Sequence, residues 1–193
     1  MSIRRLIVVD GLDGCGKDTH AQRIKALLES RRERVYVISH PSKRLFGKLS
    51  KRFLEGEGHA ARFLATVFFT ADVLASVSRF NAQREGTTIF VRYLMGTAYL
   101  PRRLAPAGYV FFRKLLPFPD LALFIDIDPE VAIRRIERRD HKREMFETLD
   151  RLAKVRSTAR KLVSHEWYIV DNSQDGEQSF AEVETLLKDR GMI

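Results

Sequence analysis

Leu6-Ile7-Val8-Val9-Asp10-Gly11-Leu12-Asp13-Gly14-Cys15-Gly16-Lys17 is the stretch that decides the fold. An apolar run enters it, glycines turn it, and a lysine closes it. Asp18-Thr19-His20-Ala21-Gln22-Arg23-Ile24 then opens a segment of helical spacing. Strand, glycine-rich turn and helix in that order make an anion trap. Glycine lets the backbone curl so that successive N–H groups point inward, and the helix N-terminus adds partial positive charge. An ammonium at the end of such a turn reaches the β- and γ-phosphates of a nucleoside triphosphate. The competing reading is a plain strand-to-helix turn that needs glycine only for tightness. On the first reading the nucleotide is held by Gly11, Leu12, Asp13, Gly14, Cys15, Gly16, Lys17, Asp18 and Thr19. Cys15 reads as a small side chain at a variable loop position.

Outward from this stretch, extended and helical runs alternate. Residues 3–9 are apolar nearly throughout, as in a strand buried on both faces. Residues 17–30 carry Ala21, Ile24, Leu27 and Leu28 at helical spacing. Strands are expected at 35–38, 87–91, 121–127 and 167–170. Helices are expected at 45–54, 60–80, 93–104, 109–115, 146–164 and 179–189, with a break at Pro106. Asp128-Pro129-Glu130 opens a further helix: Asp caps, Pro sits in the first turn, and Glu favours the positive end. The 60–80 helix is apolar around much of its circumference and is expected at the centre. Five strands joined by helices predict an α/β fold: a doubly wound, five-stranded parallel sheet flanked by helices, in one domain over residues 1–193. Ligands of such folds bind at the carboxyl ends of the strands. Gly11–Lys17, residues 39–44, Arg92 and Asp128 all fall at such ends.

The 193 residues, 45% of them hydrophobic, suit one globular core. A single cysteine excludes an internal disulfide and fits a reducing compartment. The basic start Met1-Ser2-Ile3-Arg4-Arg5 leads into an apolar run that ends at Asp10, too short for a signal peptide. The longest apolar stretch, 60–77, carries Arg62 and Asp72, which favours a buried helix over a membrane span. A cytoplasmic protein without a membrane partner is the expectation. The net charge of +9 admits a nucleic-acid binder or an enzyme for small polyanions. Basic clusters at 43–52 and 134–143 lack interleaved exposed aromatics for base stacking, so nucleic acid is not the expected partner.

These residues resemble the thymidylate kinase family of nucleoside-monophosphate kinases, over nearly the whole chain. The likeness rests on Gly-Leu-Asp-Gly-Cys-Gly-Lys at 11–17 and on Arg92-Tyr93, which is similar to the end of the family's Asp-Arg-Tyr motif. It extends to Ala98-Tyr99, to Pro119-Asp120-Leu121 leading into Phe124-Ile125-Asp126-Ile127-Asp128-Pro129-Glu130-Val131, and to Val170-Asp171-Asn172-Ser173. The resemblance implies a P-loop kinase using ATP and Mg²⁺, with a short basic lid at about 139–147, nucleotide substrates and a homodimer through long helices. It assigns catalysis to Lys17, Arg92, Arg143 and Asp13. It places Arg139 over adenine, and gives the acceptor nucleotide Asp13, Pro41, Phe69, Arg92 and Tyr99. Arg92 as a structural ion pair, and Phe69 as plain core, are the bland alternatives.

The chain also departs from the family pattern. Asp18 stands where Ser or Thr would touch Mg²⁺, and Val91 replaces the aspartate of Asp-Arg-Tyr. The resemblance implies that Asp13 helps order the magnesium shell, and Asp18, an oxygen ligand, is expected to take over the part that Val91 cannot serve. Val73 stands where the family has a base-reading arginine, and His40-Pro41-Ser42-Lys43-Arg44 shares only its proline with the family's second segment. The expected reaction is ATP plus dTMP to ADP plus dTDP. The alternatives are a kinase of the same fold with another small acceptor, or a nucleotide-binding relative without kinase activity.

Overall fold

The computed structural model describes residues 4–56, 58–138, 148–163, 165–174 and 176–193. Five strands form one sheet: β1 (Arg4–Gly11), β2 (Val35–Ser39), β3 (Gly86–Val91), β4 (Leu121–Asp126) and β5 (Tyr168–Asp171). Their order is β2-β3-β1-β4-β5 and every pairing is parallel. β1 lies in the middle, with Val9 beside Val91 on one side and Gly11 beside Ile125 on the other. Every residue of β3 and β4 is buried, which is why these strands read as unbroken apolar or small runs.

Among the described residues seven α-helices flank the sheet: α1 (Lys17–Ser30), α2 (Leu45–Leu54), α3 (Gly58–Ala82), α4 (Ala105–Leu115), α5 (Pro129–Glu137), α6 (Leu149–Leu162) and α7 (Gly176–Asp189). The apolar face of α1 packs on β1, β2 and β3. It meets α7 through His20 and Phe180, whose ring centroids are 6.0 Å apart. Asp128 caps α5 as its sequence requires, its side chain accepting from the Glu130 N–H at 2.9 Å.

Two expectations need correction. Residues 93–104 do not form a helix. They form a 3-10 segment at Met95–Tyr99 followed by a turn. The buried Asp10 carboxylate accepts the Tyr93 and Met95 amides at 2.9 and 3.0 Å, and the Thr97 hydroxyl donates to the Leu94 carbonyl at 2.8 Å. Side chains thus take backbone groups a helix would use, and Pro101 lacks the N–H to continue one. Pro106 then opens α4 rather than breaking it, since proline suits the first turn.

The second correction concerns α3, which is not central. Ala65, Asp72, Val73, Ser76, Val77 and Phe80 face inward, whereas Phe63, Val67 and Leu74 are 68%, 44% and 40% exposed. Residues 63–82 are long and apolar enough to cross a bilayer, yet Asp72 on this helix is buried in a polar network of the fold.

Candidate active site

The turn between β1 and α1 takes the conformation its glycines allow. Gly14 and Gly16 have φ of +79° and +89°, a region that penalises any Cβ. Lys17, the first residue of α1, is 2% exposed. Its ammonium donates to the Leu12 carbonyl at 2.8 Å and lies 3.5 Å from Asp13 Oδ1. Cys15 is fully buried, and burial pushes its thiol pKa up, so this thiol is not an activated thiolate.

Asp13 ties the loop to the far side of the cleft. Arg92 donates to Asp13 Oδ1 at 2.6 Å and the Tyr99 hydroxyl donates to Oδ2 at 2.9 Å. Burial alone would raise the Asp13 carboxyl. The Arg92 guanidinium and the Lys17 ammonium more than reverse this and hold it well below the usual carboxylate range. Burial and then the Asp13 charge push the Tyr99 phenol well above its ordinary value, so Tyr99 stays a donor. Arg92 has φ of +60°, a strained conformation for a side-chain-bearing residue. Its surroundings fix it there. Asp10 binds the amides just after it, the His40 ring donates from Nδ1 to its carbonyl at 3.0 Å, and its guanidinium reaches the His40 carbonyl at 3.4 Å.

A cavity of about 660 Å³ opens beside this cluster. Asp13, Pro41, Phe69, Arg92 and Tyr99 all line it, together with Val73 and a largely apolar wall that includes Leu100, Phe112 and Leu116. The volume is that of a small-molecule site. Phe69 is half-buried against the core and lies so close to Gly96 that a Cβ there would come within 3.1 Å of its ring. The His40–Pro41 peptide bond is cis.

Behind the cavity, Asp72 accepts from the Ser42 amide and hydroxyl, both at 2.6 Å. Arg44 donates to Ser42 Oγ at 3.0 Å and to Ser76 Oγ, and lies 3.5 Å from Asp72. Its guanidinium is therefore occupied in this network, while Lys43 is exposed. Asp18 and Thr19 are exposed at the start of α1, with the Ser39 hydroxyl donating to Asp18 Oδ1 at 3.1 Å. Arg139, Arg143 and the 139–147 lid lie outside the described residues.

Sequence reasoning missed Asp10 and Asn172. Asp10 is 1% exposed and burial raises its carboxyl pKa against the pull of its backbone hydrogen bonds. A lone acid at the end of an apolar strand was the available signal. Asn172, just after β5, donates from its amide to the Cys15 carbonyl at 2.7 Å. Nothing local in the sequence marks that contact, because its partner is a backbone atom far away in the chain.

A parallel sheet in this order, with a lysine-closed glycine loop after its central strand, defines a P-loop nucleotide-binding fold. The family model described as thymidylate kinase matches residues 9–183. The chain is 31% identical over 188 residues to the probable thymidylate kinase of Pyrobaculum aerophilum, covering 94% of this chain and 95% of that protein. It is 30% identical over 190 residues to the probable thymidylate kinase of Archaeoglobus fulgidus, covering 95% and 94%. The solved thymidylate kinase of Candida albicans shares the fold, with a TM-score of 0.78 at 20% identity over 99% of this chain and 94% of that one. The chain belongs to the thymidylate kinase family, whose members are phosphotransferases that take ATP as phosphate donor.

Proposed function

We propose that this chain, working as one kinase domain, transfers the γ-phosphoryl group of ATP to dTMP and yields ADP and dTDP. The observation that carries this reading is the shared carboxylate. Asp13 meets both the loop lysine and Arg92, so the phosphate trap and the apolar cavity are joined at one point.

The chemistry asks for placement and positive charge more than covalent work. Lys17 and the loop amides hold the donor's phosphates. Arg92 spans donor and acceptor phosphates, which its planar fork suits. Phe69 stacks on the acceptor base, Pro41 and Tyr99 frame the sugar and phosphate, and Tyr99 and Asp13 hold Arg92 in place. The family resemblance gives Arg139 the role of contacting adenine and Arg143 that of supplying charge to the transferring group.

Magnesium fits a part of this site. Asp13 is taken up by three donors, which leaves the exposed Asp18 and the half-buried Ser39 hydroxyl as oxygen ligands beside the loop. Among the described residues no group of three or more His, Cys, Asp or Glu forms a dedicated cage. One carboxylate plus nucleotide phosphates is a common magnesium arrangement. When bound, the ion supplies charge neutralisation on the phosphates.

The same reading places the protein in the cytoplasm and pairs two copies through the exposed stripe Phe63, Val67 and Leu74 of α3. One observation favours a second reading, a kinase with another small acceptor: Val73 offers no hydrogen bond to a base, and the cavity wall around it is mainly apolar.

The experiment is an acceptor panel. ADP release from ATP and Mg²⁺ is followed with dTMP, dUMP, UMP, CMP and AMP. We expect dTMP to lead, with the ratio of kcat/KM for dTMP over dUMP set by one methyl on an apolar wall, about 10–200-fold. Activity confined to another acceptor supports the second reading. ATP binding without turnover of any acceptor points to the relative without kinase activity.

A further inference from the structure

Two buried side chains outside the catalytic cluster hold consecutive peptide planes of the phosphate loop. Asn172 is 4% exposed and donates from Nδ2 to the Cys15 carbonyl at 2.7 Å. His20 is 2% exposed and lies with Nδ1 3.1 Å from the Gly16 carbonyl, which also accepts the His20 backbone N–H at 3.0 Å. A carbonyl only accepts, so Nδ1 carries the proton and the Asn172 amide nitrogen faces Cys15. Ser179, 3% exposed, sits between the two: its single hydroxyl proton has three acceptors in reach, Asn172 Oδ1 at 2.9 Å, the Gly176 carbonyl at 3.1 Å and the unprotonated His20 Nε2 at 3.2 Å, and serves one of them at a time. Asn172 is itself fixed through its backbone, whose N–H donates to the Asp126 carbonyl at 3.0 Å and whose carbonyl accepts from Arg135 at 2.9 Å. The fit is close, since a Cβ on Gly16 would come within 2.6 Å of Asn172 Nδ2.

In a trans peptide the C=O and the following N–H point in opposite directions. Holding the Cys15 carbonyl outward aims the Gly16 N–H the other way, and holding the Gly16 carbonyl does the same for the Lys17 N–H. Left to themselves, loop peptides joined by glycine rotate easily, and turning one plane exchanges a donor for an acceptor. A phosphate then meets a carbonyl oxygen where it needs an N–H.

We infer that Asn172 and His20, on either side of Ser179, are positioning residues that fix the Gly16 and Lys17 amides toward the β-phosphate of the bound nucleotide. This rests on the donor-site reading above. It adds that donor affinity depends on two side chains that need not touch the nucleotide. The cost of orienting the donors is then met on folding rather than on binding, which is what preorganisation means for an anion site.

The test measures calorimetric affinities of ADP and AMP for the wild type, Asn172→Ala, Asn172→Asp, His20→Ala and His20→Asn. ADP carries the β-phosphate and AMP does not. Asn172→Ala is expected to weaken ADP at least tenfold and AMP less than twofold. Asn172→Asp, which sets a carboxylate against the Cys15 carbonyl, is expected to do worse. His20→Asn, whose amide reproduces the Nδ1 donor, is expected to recover most of the ADP affinity that His20→Ala loses. Equal losses for ADP and AMP, or unchanged ADP affinity in folded variants, overturn the inference. Should the Asn172 variants not fold, the His20 pair decides by the same criterion. A wild type that takes up no ADP overturns the donor-site reading and this inference with it, an outcome distinct from wild-type binding that the variants leave unchanged.

Discussion

His40 shows how much one side chain outside the phosphate loop contributes to the site. It is fully buried, donates to the Arg92 carbonyl from Nδ1, and lies with Nε2 2.8 Å from Ser76 Oγ. Burial lowers its pKa and outweighs the upward pulls of Asp72 and of backbone groups at Arg92 and Val91, with a last small downward push from Arg44. Burial lowers His20 as well. A histidine whose folded pKa is depressed stabilises the fold above its unfolded pKa, and that contribution is lost as pH falls. The expected result is therefore a melting temperature that declines as pH drops below the usual 6.5, with a shallower decline in His40→Asn. Thermal melts between pH 8 and 5 check this, and an identical slope in the variant contradicts it. At this scale legibility was uneven. Lys17, Asp13 and Arg92 stand within or beside local patterns, so the sequence marks them. His40, Asp10 and Asn172 act on backbone atoms brought near only by the sheet, and no spacing encodes that.

Among the elements, the strands and α1 were readable because burial on both faces forces continuous apolar runs and α1 shows helical spacing. The segment from 93 to 104 was not, since its helical pattern yields to Asp10, a side chain from β1 that takes its amides. The centrality of α3 was overestimated for a different reason. Apolar residues all round the helix do not say which side finds a partner, and here the polar Asp72 and Ser76 are on the buried side. The docking of α6 is polar too. Arg156 grips Asp126, at the end of β4, through two bonds of 2.9 Å, and Arg160 joins at 3.1 Å. Asp126 is 1% exposed, so removing its charge strands two guanidinium groups. Asp126→Asn is expected to lower stability by about 2 kcal/mol, since both arginines keep access to water. Urea unfolding measures it, and an unchanged midpoint contradicts the ion-pair account.

For the molecule as a whole, the sheet order places the phosphate loop at the central strand and brings Arg92 to it from the neighbouring strand. That convergence follows from topology and was legible as soon as the strands were counted. The acceptor was less legible, because an apolar wall reads shape and a sequence does not display shape. Assembly belongs to this scale as well. If α3 pairs two copies, Val67→Glu with Leu74→Glu shifts the protein to monomer in light scattering, whereas an unchanged mass moves the interface elsewhere. A stable pair buries roughly 800 Å² per partner, more than α3's exposed stripe alone is expected to supply, so flanking elements take part. The most direct measurement is phosphorus NMR of ATP, Mg²⁺ and dTMP with the protein. The expected spectrum shows dTDP and ADP rising in equal amounts, and neither forming with Lys17→Ala. ADP accumulating with free phosphate and no dTDP, or equal turnover by Lys17→Ala, would contradict a phosphate loop that delivers the γ-phosphoryl group to thymidylate.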